Sequence, residues 1–369
     1  MIGSAIMNNL GFAQSATTLV PSFSISAEYN DNIFSRSRDR EGDFLTRFQP
    51  RLDFAHLGRR TDLTATYGPG YEYLAKNPRL SRQFHNLSFG LTHRYSTRLN
   101  LVFSDTFSLA PTTVPSAEVR LAEVEVPRTM VIRNSFLARA AYQLTPATAT
   151  DFSLAHGLTR FEAAQFTDSD YFSISSGISH QLTRKVRVNG NLRFISLSPE
   201  GSPDTSTFSF SLGTTYEYSP TLMFFSNLGP NLSSTEGRKR VGLFTANGLT
   251  KAFRTSTLTL SYGRDLATGT GVQGASTAQR GSIAFNHQLT REANWDVALT
   301  YSSSKSEAQG GAEVKAAIAT AGFNQTFGRY VTLRIYYSMT VQENPGATTE
   351  QVRINRGGAI LRVTLPTLM

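Results

Sequence analysis

Residues 171–195 read YFSISSGISHQLTRKVRVNGNLRFI. Phe172, Ile174, Ile178, His180 and Leu182 fall in one alternating phase, and Tyr171, Ser173, Ser175, Gly177, Ser179 and Gln181 in the other. After Thr183-Arg184-Lys185 the alternation restarts, setting Val186, Val188, Leu192 and Phe194 against Arg187, Asn189, Asn191 and Arg193. Successive strand side chains point to opposite faces, so two alternating runs around a short polar turn define a β-hairpin. Each arm is roughly ten to twelve residues, the length a tilted strand needs to cross a bilayer.

The unit recurs. SHQLT at 179–183 returns as NHQLT at 286–290, with echoes in LTHRYST (91–97), AYQLTP (141–146), TYEYSP (215–220) and NQTFGR (324–329). Other tight turns are expected at Gly58-Arg59-Arg60 and near Lys251–Arg254. Between them lie longer polar connections, at 35–42, 74–83, 110–128, 162–169, 197–206, 232–239, 266–278, 303–313 and 342–350. Short turns at one end and long loops at the other are the asymmetry of an outer-membrane barrel. Nine long connections join eighteen strands, with both termini on the short-turn side.

The two phases fix which face meets lipid. One carries Leu, Phe, Val, Ala and Tyr; the other carries Ser, Thr, Asn, Gly, Arg and Glu. Side chains cannot fill an eighteen-stranded barrel, because diameter grows with strand number. The apolar phase therefore faces out and the polar phase lines a lumen. A closed barrel also pairs every backbone group, as hydrocarbon requires. The expected fold is all-β, a transmembrane antiparallel β-barrel of about 18 strands with short periplasmic turns and longer extracellular loops. The expected location is the bacterial outer membrane. Residues 21–369 form the barrel, preceded by a signal-peptide remnant or disordered N-terminus at 1–20.

Composition narrows the chemistry. There is no cysteine, which excludes disulfides and Cys-based metal sites. The formal net charge is +9, and the 36 basic residues are six Lys and 30 Arg. They are spread along the chain rather than gathered into an arm, so nucleic acid is not expected as a partner. No nucleophile elbow, zinc-protease or phosphate-loop motif is present, and no catalytic residue, metal or cofactor is expected. His56, His93, His180 and His287 each precede a tight turn. They read as interfacial side chains on separate strands, since a ring of such width keeps them from converging on a metal. Asn30, Asp31 and Asn32 offer oxygens to calcium, but without the spacing of an EF-hand loop.

Arg47, Arg51, Arg94, Arg133, Arg139, Arg187, Arg193 and Arg334 fall in the lumen phase, and Lys315 is assigned there too. So are Asp53, Asp62, Glu72, Asp151, Glu217 and Asp296. Rings of basic side chains select anions. The same residues also read as lumen polarity balanced by carboxylates on adjacent strands. The longest connection, APTTVPSAEVRLAEVEVPRT at 110–129, is the candidate constriction, its Glu118, Glu123 and Glu125 facing the arginines if it folds inward. SRSRDR (35–40) and RKR (238–240) lie in outer loops and suit the phosphates of outer-membrane lipid and lipopolysaccharide.

PSFSISAEYNDNIF, followed by DFLTRFQPRLDF and TATYGPGYEYL, carries Tyr29, Asp31-Asn32-Ile33-Phe34, Asp43-Phe44, Pro50, Tyr71 and Tyr73. Over the first ~75 residues this resembles the EpsL-like outer-membrane barrels encoded with exopolysaccharide and exosortase (PEP-CTERM) loci. The resemblance implies a polysaccharide-export pore that works with a periplasmic polysaccharide-export protein. The sequence expectation is thus a passive, Arg-lined conduit for an exopolysaccharide, an anionic one given the arginines. The alternatives are a general diffusion porin or small-anion channel, and a plugged barrel serving as a structural or adhesion anchor. The chain ends GGAILRVTLPTLM, without the terminal aromatic residue common in such barrels.

Overall fold

The computed structural model describes residues 15–114, 128–164, 166–267, 276–306, 313–344 and 350–368. Eighteen strands follow in chain order. The first six are β1 (Ala16–Asn30), β2 (Asp43–Leu57), β3 (Thr61–Leu74), β4 (Arg82–Arg94), β5 (Leu99–Pro111) and β6 (Met130–Thr145). Next come β7 (Thr148–Phe161), β8 (Ser169–Gln181), β9 (Val186–Pro199), β10 (Thr205–Ser219), β11 (Leu222–Thr235) and β12 (Arg238–Ala252). The last are β13 (Ser256–Ala267), β14 (Ser276–Gln288), β15 (Ala293–Ser306), β16 (Glu313–Phe327), β17 (Val331–Asn344) and β18 (Glu350–Thr364).

Every strand pairs antiparallel with its sequence neighbours, and β1 pairs with β18 from Ser22↔Thr364 to Asn30↔Arg356. The sheet is thus closed. Past β18, Leu365 and Leu368 still donate backbone N–H groups to Pro21 and Leu19 of β1, at 2.8 and 2.9 Å.

The outer face is the apolar phase. Phe23, Ile25, Tyr29, Phe44, Phe48, Leu52, Phe208, Leu212, Leu299, Tyr301 and Ile335 are all exposed. The serine, threonine and charged phase points inward, and Ser26, Glu28, Arg47, Glu72, Thr207 and Ser209 are buried. An exposed apolar belt around a closed sheet is the surface lipid requires, and the chain is an outer-membrane barrel.

The recurring phrase has a mechanical explanation. The Thr183 hydroxyl accepts from the N–H groups of Lys185 and Val186, and Thr290 does the same for Glu292 and Ala293. Thr145 serves Ala147 and Thr148, Ser96 serves Arg98 and Leu99, and Ser219 serves Thr221. Two residues earlier, Gln143, Gln181 and Gln288 donate their amides to the carbonyls of Thr145, Thr183 and Thr290. The Gln-Leu-Thr repeat therefore staples the periplasmic turn from both sides.

Three expectations are corrected. The barrel begins at Ala16, five residues before the expected boundary at 21, because Ala16–Pro21 pairs with Leu52–Leu57. The connections expected at 197–206 and 232–239 shrink to 200–204 and 236–237. Their serines and threonines extend the strands, Thr205 and Ser233 in the lumen phase and Ser198, Ser206 and Ser234 in the outer phase, and Glu236-Gly237 closes the second hairpin with φ of 50° and 77°. Lys315 lies on the outer face: it pairs with Ser303, in phase with Ala317, Ala319 and Phe323, while its neighbours Val314 and Ala316 are buried inside.

Candidate functional site

The lumen is graded. In its outer half the inward side chains are packed against one another: Thr205 and Thr207 on β10, Asn231 and Ser233 on β11, Ser302 and Ser304 on β15, and Thr340 and Gln342 on β17 are buried. Towards the periplasm they open up. On β2 the side chain of Arg47 is 7% exposed and that of Arg51, two pleat repeats lower, is 41% exposed. The inward side chains are thus more closely packed towards the cell surface than in the periplasmic half, the vestibule.

The packed outer half is built around Arg47. Its Nε donates to Glu72 Oε2 at 2.8 Å, and its Nη2 to Glu28 Oε1 at 3.2 Å and the Thr113 carbonyl at 3.0 Å. Glu72 also meets Arg128 Nη1 at 2.8 Å and accepts from the Thr113 hydroxyl at 2.9 Å. Arg128 Nη2 reaches the Leu80 carbonyl at 2.6 Å. Glu28 accepts from the Tyr336 hydroxyl. Burial, with Arg47 and Arg82 nearby, holds Arg128 below its ordinary value against the opposing pull of Glu72. Thr113 and Arg128 flank the longest connection, so both of its ends are drawn against the lumen wall. Glu118, Glu123 and Glu125 lie outside the described residues.

Apolar side chains complete the packing. Ile33, Leu45 and Leu74 form one buried group with Phe34 and Leu80 against it, and Phe84, Ala110 and Val114 form another. Phe84 lies over Gly70, where a Cβ would stand 2.2 Å from the ring. Tyr171 covers Gly157 in the same manner beside Ile195 and Leu197.

The other predicted arginines are distributed around the wall. Arg51 makes bonds of 2.7–2.9 Å with Asp53. Arg94 lies 3.2 Å from Asp62, Arg139 3.4 Å from Asp151, and Arg334 3.1 Å from Asp296. Arg187 donates to Gln181 at 2.9 Å. Arg133 stands opposite Ser108 on β5, in the lumen phase. Arg193 crosses from β9 to Asp265 on β13, Nη1 to Oδ2 2.8 Å, a contact that spans the four ladders between those strands. The arginines thus form a wall of alternating charge and not a convergent cluster. Five of the expected inward carboxylates, Asp53, Asp62, Glu72, Asp151 and Asp296, are their partners.

Sequence reading missed Glu28, Arg128, Thr113, Tyr336 and Asp265. Glu28 was legible, since it continues the inward row of Ser22, Ser24 and Ser26. The rest depend on which strand ends meet.

The remaining motifs are structural. Asn32 bonds the backbone of Arg36 and Arg353, and Asp31 accepts from the backbone and side chain of Asn355. They stitch the first outer loop to β18. His56, His93, His180 and His287 each pair through Nδ1 with a hydroxyl on the adjacent strand, Thr17, Thr61, Thr148 and Ser256, at 2.7–2.8 Å. Among the described residues no cluster of three or more potential metal ligands occurs.

No family model matches the chain, and no curated protein matches it. Solved structures do. Pseudomonas aeruginosa OpdQ superposes with a TM-score of 0.52 at 8% identity, over 96% of this chain and 98% of that one. OpdL of the same organism gives 0.52 at 10% identity, over 96% and 99%. P. aeruginosa OccK2 (OpdF), solved in complex with glucuronate, gives 0.52 at 9% identity, over 95% and 98%. At such identities the likeness is one of fold: this chain has the eighteen-stranded barrel of outer-membrane porins, over nearly its whole length.

Proposed function

We propose that the protein is a diffusion channel for small acidic solutes. The observation that carries this reading is the anchoring of Thr113 and Arg128 against Arg47 and Glu72. It draws Thr113 and Arg128, at the two ends of the third outer connection, against the lumen wall in the outer half. Below it Arg51 and Arg139, and at mid-wall Arg193, stand beside carboxylates, so an anion meets paired charges in succession and no single deep well. A sugar acid is the ligand of the OccK2 structure, and a small carboxylate suits the same kind of wall. Polymer export, implied by the EpsL-like resemblance, calls for a bore open along its length and a docked periplasmic partner. The packed outer half favours the smaller solute.

The test is conductance of the purified protein in planar bilayers under a salt gradient. Wild type is expected to show an open, anion-preferring current. Arg51→Gln, Arg139→Gln and Arg193→Gln combined is expected to shift the reversal potential towards cations, because Asp53, Asp151 and Asp265 remain. Absence of current would support the plugged-barrel alternative. Block by long acidic oligosaccharides but not by glucuronate would restore the polymer reading.

A further inference from the structure

The short-turn end of the barrel is strongly basic. The β2–β3 turn carries Arg59 and Arg60, and the β8–β9 turn Arg184 and Lys185. The β4–β5, β12–β13, β14–β15 and β16–β17 turns add Arg98, Arg254, Arg291 and Arg329. Eight basic residues thus stand on six of the eight short turns, and Glu292 is the one acid in any of them. Eight positive charges less one leave +7 in these turns, against +9 for the whole chain. Spread along the sequence, the charges are gathered in space, because every short turn returns to the same rim. All eight basic residues are exposed, and none makes an ion pair among the described residues.

The partner must suit that geometry. Turns of two to four residues reach little beyond the membrane, so their basic groups stay at headgroup height. Five of the six basic turns also carry an exposed apolar or aromatic side chain: Tyr95, Leu182, Phe253, Leu289 and Tyr330. A cation beside such a side chain matches the boundary between a charged headgroup and its acyl chains. The basic turns run round the perimeter and do not gather into one patch. A protein docking on one flank calls for a patch, whereas lipid surrounds the wall on every side. Seven of the eight basic residues are arginine, whose planar fork fits phosphate oxygens.

We infer that the short-turn rim is a binding surface for anionic phospholipids of the inner leaflet. Each basic turn takes a headgroup phosphate, and the apolar side chain of the same turn packs against the top of the acyl chains. The surface lies outside the barrel and is separate from the solute path.

The protein carries its own probe. Trp295 is its single tryptophan, three residues into β15 on the outer face, opposite His287 and Phe323. Its own turn holds Arg291, and the short turns on either side hold Arg254 and Arg329. The full chain is refolded into phosphatidylcholine vesicles that contain brominated phosphatidylglycerol or, at the same fraction, brominated phosphatidylcholine. Bromine quenches a nearby indole, so the fluorescence reads which lipid sits at this sector. Folding of each variant is checked by heat-modifiable mobility. Brominated phosphatidylglycerol is expected to quench several-fold more strongly. The preference should vanish in Arg254→Gln/Arg291→Gln/Arg329→Gln and survive in Arg59→Gln/Arg60→Gln, whose turn lies on another part of the perimeter. Equal quenching by the two lipids overturns the proposal, as does a preference that outlasts the triple substitution or is lost equally in the remote pair. Inorganic phosphate is expected to weaken the preference no more than sodium chloride of equal ionic strength, which acts by screening alone. Specific displacement by phosphate would assign the arginines to a soluble anion instead. In a second arm, Tyr95→Trp/Trp295→Phe moves the probe to the turn of Arg98. The same preference is expected there, and its absence would overturn a rim-wide surface.

Discussion

Arg47 on β2 and Glu72 on β3 face each other inside the barrel, Nε to Oε2 2.8 Å, with both side chains buried. The contact is more than one strand-to-strand pair. Glu72 also holds Arg128 and Thr113, and Arg47 also holds Glu28 and the Thr113 carbonyl. One buried ion pair thus ties three strands to both ends of the longest outer connection. Removing Glu72 takes a carboxylate from both Arg47 and Arg128.

Glu72→Ala leaves two buried arginines short of a carboxylate. Breaking a buried pair in this way costs about 3–5 kcal/mol. The variant is expected to lose its folded electrophoretic form at markedly lower temperature, and to conduct more because Thr113 and Arg128 are released. Unchanged melting together with unchanged conductance would remove the anchor from the account of the pore.

The vestibule carboxylates balance their arginines. Asp53 accepts from Arg51 and Thr66, and Asp151 sits by Arg139. Asp53→Asn combined with Asp151→Asn is expected to leave the fold intact and to raise anion over cation permeability. The reversal potential under a salt gradient checks this; a shift towards cations would contradict it.

Asp105 occupies an unusual place. It falls in the outward row of β5 between Phe103 and Phe107, opposite Phe89 and Phe136, and Asn134 donates to it at 2.7 Å. A carboxylate on a lipid face is unfavourable, less so than a basic residue at the same depth. Asp105→Leu with Asn134→Leu is therefore expected to raise stability to urea by about 1–2 kcal/mol. A loss of stability accompanied by loss of an oligomeric band would instead mark this flank as a contact between copies.

Gly157 lies under Tyr171, where an added Cβ would be 1.9 Å from the ring. Gly157→Val must displace the aromatic from Ile195 and Leu197. The expected cost is about 1–3 kcal/mol, the range for overpacking, read as a lower urea midpoint. A neutral result would show that Tyr171 moves freely into the lumen.

Much of this was legible in particular residues. The alternation of Phe172, Ile174 and Ile178 with Ser173 and Ser175 gave strand and face together. Gln181-Leu182-Thr183 marked its turn, though only the coordinates revealed that the glutamine amide and threonine hydroxyl both bind it. Lys315 was placed on the wrong face because alanines at 316, 317, 319 and 321 make the two phases of β16 look alike. Ser198, Ser206, Ser233 and Ser234 read as loop in the sequence because serine serves equally well in a turn and at a strand end.

Local sequence determined the strand number, the periplasmic turns, the closed barrel and the inward direction of the arginines. These follow from side-chain period and from the demand of lipid for paired backbone and an apolar exterior. Tertiary structure decided the rest: that Arg193 finds Asp265 across four ladders, and that Arg128 returns to Glu72. Such contacts join residues far apart in the chain. They depend on strand register and on the curvature of the closed wall, which no local pattern specifies.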